Sequence, residues 1–302
     1  MKKTFLVTGG AGFIGTNLVE YLVNEGHTAV VVDDLSAGDA KRLPPEAIFH
    51  HIDIRDTVAL TKVCTGVDVI VHLAALPRVQ LSITSPIETH DVNVNGTLSV
   101  LEAARAAGVK RVVYAASSSA YGDQDVLPLS ITLPPQPKSP YALHKYIGEE
   151  YMRLWSALFG IETVSLRFFN VYGPHLDPDG PYALVIGRFL KLAQEGVPLT
   201  ITGDGEQTRD FTHVSDVVAA VRQASTLKTI GKGEVFNVGA GEQTSINELA
   251  RMIGGTTEHV SSRLEPKHTR ADISLTKECL DWEPRISLKE GIAELKKQWG
   301  LS

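Results

Sequence analysis

The chain has 302 residues, 43% of them hydrophobic and 21% charged, which is ordinary for a soluble globular protein and long enough for one large α/β domain or two lobes. A net charge of −6 argues against a nucleic acid or an acidic membrane surface as partner, so an anionic substrate has to be caught by a few local arginines. Only two cysteines occur, Cys64 and Cys279, so no disulfide framework is implied and a reducing cytosol fits.

The N-terminal stretch imitates a signal peptide for three apolar residues, Phe5-Leu6-Val7, and then breaks at Gly9-Gly10. No apolar run approaches the roughly 18 residues that span a bilayer, so no membrane partner is expected and the location reads as cytoplasmic. From there, short apolar runs alternate with helical patterns. Strands are expected at 5–8, 29–33, 47–52, 69–73, 111–115 and 163–168, and helices at 12–24, 87–107 and 140–159. The strands are rich in Val and Ile and apolar nearly throughout, as in a parallel sheet covered on both faces. After Phe168 the rhythm changes to segments rich in Gly and Pro, followed by a strand at 234–238 and a helix at 245–253. This pattern reads as a Rossmann-type doubly wound parallel sheet with a smaller C-terminal substrate-binding lobe. The first unit takes 1–166 plus about 208–238, and the second takes 167–207 plus 239–302.

Gly9-Gly10-Ala11-Gly12-Phe13-Ile14-Gly15 follows the first strand and opens the first helix. Glycines at 9, 12 and 15 permit a tight turn, close approach of backbone to a pyrophosphate, and close packing of helix on strand. The second strand ends at Asp33, 18 residues after Gly15, where a carboxylate can bind the adenosine ribose hydroxyls. No basic residue adjoins Asp33, the nearest being Lys41 and Arg42, which favours NAD over NADP. Asp53-Ile54, at the end of the third strand, reads equally as an adenine contact or as a strand-end turn.

Ser139-Pro140-Tyr141-Ala142-Leu143-His144-Lys145 opens the long helix, with Ser139 as N-cap and Pro140 at its first position. Tyr141 and Lys145, at i and i+4, share one helical face. A free phenol has a pKa of about 10, so using it as a base near neutral pH costs roughly 4 kcal/mol unless a cation helps. Taken alone, such a pair is also common on helix surfaces.

Together with Ser117 these motifs resemble the extended short-chain dehydrogenase/reductase family, and within it the UDP-hexose 4-epimerases. The likeness extends over His72-Leu73-Ala74-Ala75, Asn93-Val94-Asn95-Gly96-Thr97, Ala116-Ser117-Ser118-Ser119-Ala120-Tyr121-Gly122, Arg167-Phe168-Phe169-Asn170-Val171-Tyr172-Gly173-Pro174 and Gly203-Asp204-Gly205 through Arg209-Asp210-Phe211. The resemblance implies that Tyr141 is the catalytic base, that Lys145 lowers its pKa and binds the nicotinamide ribose, and that Ser117 bonds the sugar O4. It implies NAD as cofactor, held by Gly9, Gly12, Phe13, Ile14, Gly15, Asp33, Asp53, Ile54, Leu73, Ala74, Ala75 and Asn93. For Leu73–Ala75, ordinary strand-end packing is compatible with that role, and His72 reads as structural.

For a UDP-sugar substrate the resemblance points to Asn170 and Arg209 at the diphosphate, the latter also readable as a surface ion-pair residue. Ser118 reads as a substrate contact or as a loop serine bonding backbone, and Phe189 as a uracil-stacking ring or as core. The tail departs from the common pattern, with Arg263 and Glu265 standing where the diphosphate and ribose contacts are expected. Thr269 falls where relatives control room for the sugar 2-substituent, and its small size predicts use of N-acetylated hexoses as well. Relatives that dehydrate carry Asp-Glu after the catalytic hydroxyl residue, and decarboxylases usually carry a glutamate there. Here Ser118 and Ser119 occupy those places. The expected activity is therefore UDP-hexose 4-epimerisation, with no metal. The family's homodimer, a four-helix bundle from segments 87–107 and 140–159, is carried over by the same resemblance.

Overall fold

The computed structural model describes residues 2–178, 184–261 and 267–301. In chain order the first half comprises β1 (Thr4–Thr8), α1 (Phe13–Asn24), β2 (Thr28–Asp33), β3 (Ile48–His51), α2 (Thr57–Val63), β4 (Val69–His72), α3 (Val79–Thr84), α4 (Pro86–His90), α5 (Gly96–Ala107), β5 (Arg111–Ser117), α6 (Pro140–Phe159) and β6 (Glu162–Phe168). The second half comprises β7 (Val171–Tyr172), α7 (Val185–Glu195), β8 (Leu199–Thr202), β9 (Thr208–Arg209), β10 (Thr212–His213), α8 (Val214–Thr226), β11 (Lys232–Val238), β12 (Thr244–Ser245), α9 (Ile246–Ile253), β13 (Thr257–Val260), α10 (Ser274–Leu280) and α11 (Leu288–Gln298).

Seven strands form one parallel sheet in the order β11-β6-β5-β4-β1-β2-β3. This is a Rossmann-type α/β fold. The apolar strands follow from burial on both faces. Phe5 and Val7 of β1 face one core with Leu18, Val19 and Leu22 of α1 and Val217 and Val221 of α8. Leu6 faces the other, with Leu60 of α2, Leu101 and Ala104 of α5, and Met152 and Trp155 of α6. Phe5, Leu6 and Val7 are therefore apolar on both pleat faces. The strand order reverses beside β1, which separates the β2 and β4 connections and leaves a crevice at the carboxyl edge.

β11 returns to the sheet by pairing with β6. A separate core gathers α7, β8, α9 and α11 around Phe189, Leu190, Leu249, Ile253 and Leu295. The helix expected at 87–107 is not continuous. It begins at Pro86 as α4, passes through a π-helical turn at Asp91–Asn95, and resumes as α5. The third strand is shorter than expected, at 48–51 rather than 47–52.

Candidate active site

Because the sheet is parallel, Gly9, Leu73, Ser117 and Phe168 all follow or end strands at the same edge. Gly9 has φ +68°, and a Cβ there would lie 2.7 Å from the Ala74 nitrogen. At Gly15 a Cβ would lie 2.2 Å from the Gly9 carbonyl, so this turn folds only around hydrogen atoms at both places. Gly12 is different: a Cβ would meet only the Gly9 carbonyl, at 3.3 Å. The chain thus keeps open the space before α1, whose N-terminus at Gly12 has no side-chain cap. Uncapped N–H groups and the positive end of the helix, at Phe13 and Ile14, fit a pyrophosphate.

Asp33 is 8% exposed and accepts from the Ala11 and Leu35 amides at 3.0 and 2.9 Å. Burial pushes its carboxyl up, against the pull of those two N–H groups. Arg42 is engaged with the His175 carbonyl and lies 3.8 Å from Asp39, away from a 2′-phosphate role at Asp33. Asp53 is ion-paired with Arg55, which also binds Asp91 at 2.7 Å and holds the Asp53 carboxyl below its usual range. Ile54 is buried, against the space where a Gly96 side chain would be.

Leu73, Ala74 and Ala75 are half-buried on the loop after β4, with the Leu73 amide bonded to the Thr8 carbonyl. Asn93 is 2% exposed and its amide is engaged in both directions, accepting from the Leu76 N–H at 2.7 Å and donating to the Leu76 carbonyl at 3.0 Å. It anchors the loop that carries Leu73–Ala75.

His72 occupies the centre of a buried chain of hydrogen bonds. Thr97 donates to the Asn93 carbonyl at 2.7 Å, so its oxygen accepts from His72 Nε2 at 3.0 Å. His72 Nδ1 then accepts from the Thr8 hydroxyl at 2.7 Å, and Thr8 accepts from the Ala74 amide. Both ring nitrogens are used by a neutral imidazole. Burial, helped by the Lys145 charge, pushes its pKa down to about 3. A folded-state pKa below the unfolded one stabilises the fold fully above pH ~6.5, and the contribution is lost as pH falls towards the folded value, roughly 5 kcal/mol in all. His72→Gln is accordingly expected to flatten the fall of Tm between pH 6.5 and 4. An unchanged slope on thermal melts across that range would remove His72 from the acid response.

Ser139 caps α6 by accepting from the Ala142 amide at 3.2 Å, and the Tyr141 amide donates to buried Ser82 of α3 at 3.0 Å. Ser117 stands beside the Tyr141 phenol and draws its pKa down. The Ser117 hydroxyl accepts from the Ser119 hydroxyl at 2.8 Å, within the turn Ser118–Tyr121. Lys145 is 4% exposed, donates to the Ala115 carbonyl at 2.8 Å, and lies 5.0 Å from the Tyr114 ring centroid. Burial pushes the Tyr141 phenol above its ordinary value, and Ser117 draws it part-way back. Burial likewise lowers Lys145 to about 8 while the Glu149 charge holds it up.

A cavity of about 270 Å³ lies between β7, α7 and the β8–β9 segment, lined by Asn170, Arg188, Phe189, Gln207, Arg209 and Phe211 among others. Asn170 has φ +26° and donates to the Asp210 carbonyl at 3.0 Å. Arg209 donates to the Thr208 carbonyl at 2.9 Å. Phe189, 2% exposed, is a core ring of this region that also borders the cavity. The Thr269 hydroxyl accepts from the Asp210 amide at 3.4 Å. Arg263 and Glu265 lie outside the described residues. Asp210 was visible in its motif but not as a hub: wholly buried, it accepts from the amides of Ala240, Gly241 and Ala271 at 2.7, 3.0 and 2.9 Å. Ser82, Arg188 and Gln207 carried no sequence signal at all.

Residues 5–239 match the model of the NAD dependent epimerase/dehydratase family. The chain belongs to that family. UDP-glucose 4-epimerase of Mycolicibacterium smegmatis is 38% identical over 303 residues, 96% of each chain. UDP-N-acetyl-alpha-D-glucosaminuronate decarboxylase of Bacillus cytotoxicus is 36% identical over 319 residues, 97% of each. Among solved structures, UDP-glucose 4-epimerase of Thermotoga maritima with UDP-glucose superposes with TM-score 0.93 at 34% identity, covering 98% of this chain and 99% of that one. The Thermus thermophilus UDP-glucose 4-epimerase complex with NAD gives 0.90 at 31%, covering 98% and 99%. UDP-N-acetylglucosamine 4-epimerase from Methanobrevibacter ruminantium, in complex with UDP-N-acetylmuramic acid, gives 0.91 at 31%, covering 99% and 100%. The protein is thus an NAD-dependent, epimerase/dehydratase-type nucleotide-sugar enzyme. Among the described residues no helix is long and apolar enough to cross a membrane.

Proposed function

We propose that the protein is a UDP-hexose 4-epimerase, interconverting UDP-glucose and UDP-galactose through a 4-keto intermediate. The observation that carries this reading is the placement of Ser117, at the end of β5, beside Tyr141 of α6 with Lys145 one turn behind it, in a stretch where positions 118 and 119 are serines. Dehydration needs a further acid and base beside the hydroxyl residue, and decarboxylases of the family usually carry a glutamate there; serine supplies no carboxylate. Bound NAD supplies a reversible acceptor of hydride at sugar carbon 4. Gly9, Gly12, Phe13, Ile14 and Gly15 hold its pyrophosphate and Asp33 its ribose, while Leu73, Ala74 and Ala75 line its path and Asp53 and Ile54 border the adenine end.

Tyr141 takes the O4 proton and returns it, Ser117 orients O4, and Ser118 flanks the sugar. A positive nicotinamide ring beside Tyr141 favours phenolate, offsetting the burial that raises the phenol in the protein alone. Asn170 and Arg209 grip the diphosphate, which stays fixed while the keto sugar turns, and Phe189 packs beside the uracil. Thr269 leaves room for a 2-acetamido group, so UDP-GlcNAc and UDP-GalNAc are included in the proposed substrates.

The chain works as two units, 1–166 with about 208–238 for the cofactor and the remainder for the nucleotide sugar. Ile87, Leu143 and Leu158 are 85%, 46% and 67% exposed on the segments assigned to a homodimeric four-helix bundle. Unpaired Cys64 and Cys279 fit a cytoplasmic location. Incubating the purified protein with UDP-glucose, UDP-GlcNAc or UDP-glucuronate, without added cofactor, is expected to give the C4 epimers of the first two in NMR spectra. Growth of NADH absorbance, or a decarboxylated or dehydrated product, would refute the epimerase reading. Turnover of the unacetylated pair alone would remove the Thr269 extension.

A further inference from the structure

Tyr141, Lys145 and Glu149 stand at i, i+4 and i+8 on one face of α6. Glu149 is 2% exposed and is gripped by both arms of Arg167 of β6, at 2.9 and 2.7 Å. Arg167 is itself 4% exposed, and its guanidinium lies 4.5 Å from the ring centroid of Tyr121. Tyr121 ends the turn that begins at Ser118, and its hydroxyl donates to Asn237 of β11 at 2.7 Å. In the sheet Arg167 is opposite Ala116, the residue between Ala115, which accepts from Lys145, and Ser117. One guanidinium therefore touches the helix that carries Tyr141 and Lys145, through Glu149, and the turn that follows Ser117, through Tyr121.

We propose that Glu149 and Arg167 are positioning residues for Lys145, a compensated ion pair that fixes α6 against the 117–121 turn and balances the charge around the buried ammonium. The inference deepens the epimerase reading but concerns the ionisation of Lys145, which exists with or without that activity. A buried pair of this kind seldom adds stability over apolar packing, so its retention beside the Tyr–Lys face has to be sought in its charge and geometry.

The groups facing Lys145 are Tyr141 and Glu149 from its own helix, Tyr114 of β5, neutral His72 of β4, and Arg167 of β6 behind Glu149. Glu149 is the anion among them, and its charge keeps Lys145 protonated against burial. Burial opposes the Arg167 charge, but Glu149 outweighs it and holds the guanidinium up. Burial pushes the Glu149 carboxyl up and Arg167 draws it back, so Arg167 acts on Lys145 by keeping that carboxyl charged. Removing the carboxylate leaves an uncompensated guanidinium, and removing the guanidinium leaves a buried carboxyl that takes up a proton.

The test follows the Lys145 ε-carbon by NMR in protein carrying 13C-ε lysine, with the signal assigned by its loss in Lys145→Met. Glu149→Gln is expected to move the Lys145 titration down by about one pH unit, and Arg167→Met, which lets burial protonate Glu149, to move it down as well. The double variant Glu149→Gln/Arg167→Met is expected to titrate within about half a unit of Glu149→Gln. The double variant leaves neither partner of the pair charged and alone, which guards the test against a single variant that does not fold. Titrations that coincide with wild type in either single variant, or a double variant displaced from Glu149→Gln by a unit or more, would overturn the proposal. Loss of epimerase activity with an unmoved titration would mean that the pair only braces the fold. Absence of epimerase activity in the wild-type protein, with the shifts as expected, would instead remove the substrate reading and leave this one standing.

Discussion

Tyr141→Phe is expected to lower kcat for epimerisation by about three orders of magnitude while leaving NAD bound. The phenol oxygen is the only atom lost, and the glycine turn, Asp33 and the Lys145–Ala115 bond are elsewhere. Ser117, with an alcohol's basicity, cannot replace the phenol as a base. Ser117→Ala should cost less, about ten- to a hundredfold, since it removes a hydroxyl beside Tyr141 and O4 but leaves the base in place. Single-turnover mixing with UDP-glucose reads the effect directly, and the bound NAD is measured after denaturation. Activity within tenfold of wild type in Tyr141→Phe would exclude this residue as the base. Loss of NAD together with activity would instead make it a structural residue of the cofactor site.

Legibility in the sequence divides along physical lines. The sheet was readable because strands such as 29–33 and 111–115 are apolar nearly throughout, the mark of a parallel sheet covered on both faces. The glycine turn was readable for a similar reason: Gly9 and Gly15 stand where any Cβ would strike backbone, so composition records the geometry. The π-turn at 91–95 left no such mark. It carries Asn93, clamped to Leu76 across 17 residues, and a single polar contact with a loop has no period. Ser82 under the Tyr141 amide, 59 residues away, is hidden in the same way. The charge state of Tyr141 was also out of reach. Spacing places Lys145 one turn from the phenol but does not reveal that its ammonium points to the Ala115 carbonyl. The roles proposed for Arg209 and Thr269 rest on motif positions alone, whereas Asp210 beside them is seen as a hub only when three distant segments meet.

That hub gives the second large effect. Asp210→Asn is expected to raise the KM for the UDP-sugar about tenfold or more with a smaller change in kcat. One carboxylate oxygen accepts from Ala240 and the other from Gly241 and Ala271, so the three segments are held by acceptors alone. An amide directs its oxygen to one side and sets an NH2 group against an N–H on the other, at a fully buried position. Stability is a poor readout of this change. Burial has pushed the Asp210 carboxyl up to about 6, so replacing it recovers roughly 3 kcal/mol of ionisation cost at neutral pH. The unpaired donor costs about 1–3 kcal/mol, so the two terms nearly cancel. Geometry is not offset in this way: Ala240 and Ala271 move apart, and Asn170, Arg209 and Thr269, each bonded to Asp210 or adjoining it, move with them. The pH response separates the terms. A carboxyl whose folded pKa lies above its unfolded value gains stability for the fold as pH falls from about 6 towards 4, and loses it as pH rises through the same window. Wild type and variant should therefore melt within a few degrees of each other at pH 7 and diverge towards pH 4, with the variant the less stable. A KM equal to wild type, with melting curves that do diverge in this way, would separate Asp210 from the nucleotide-sugar site and leave it a purely structural acid.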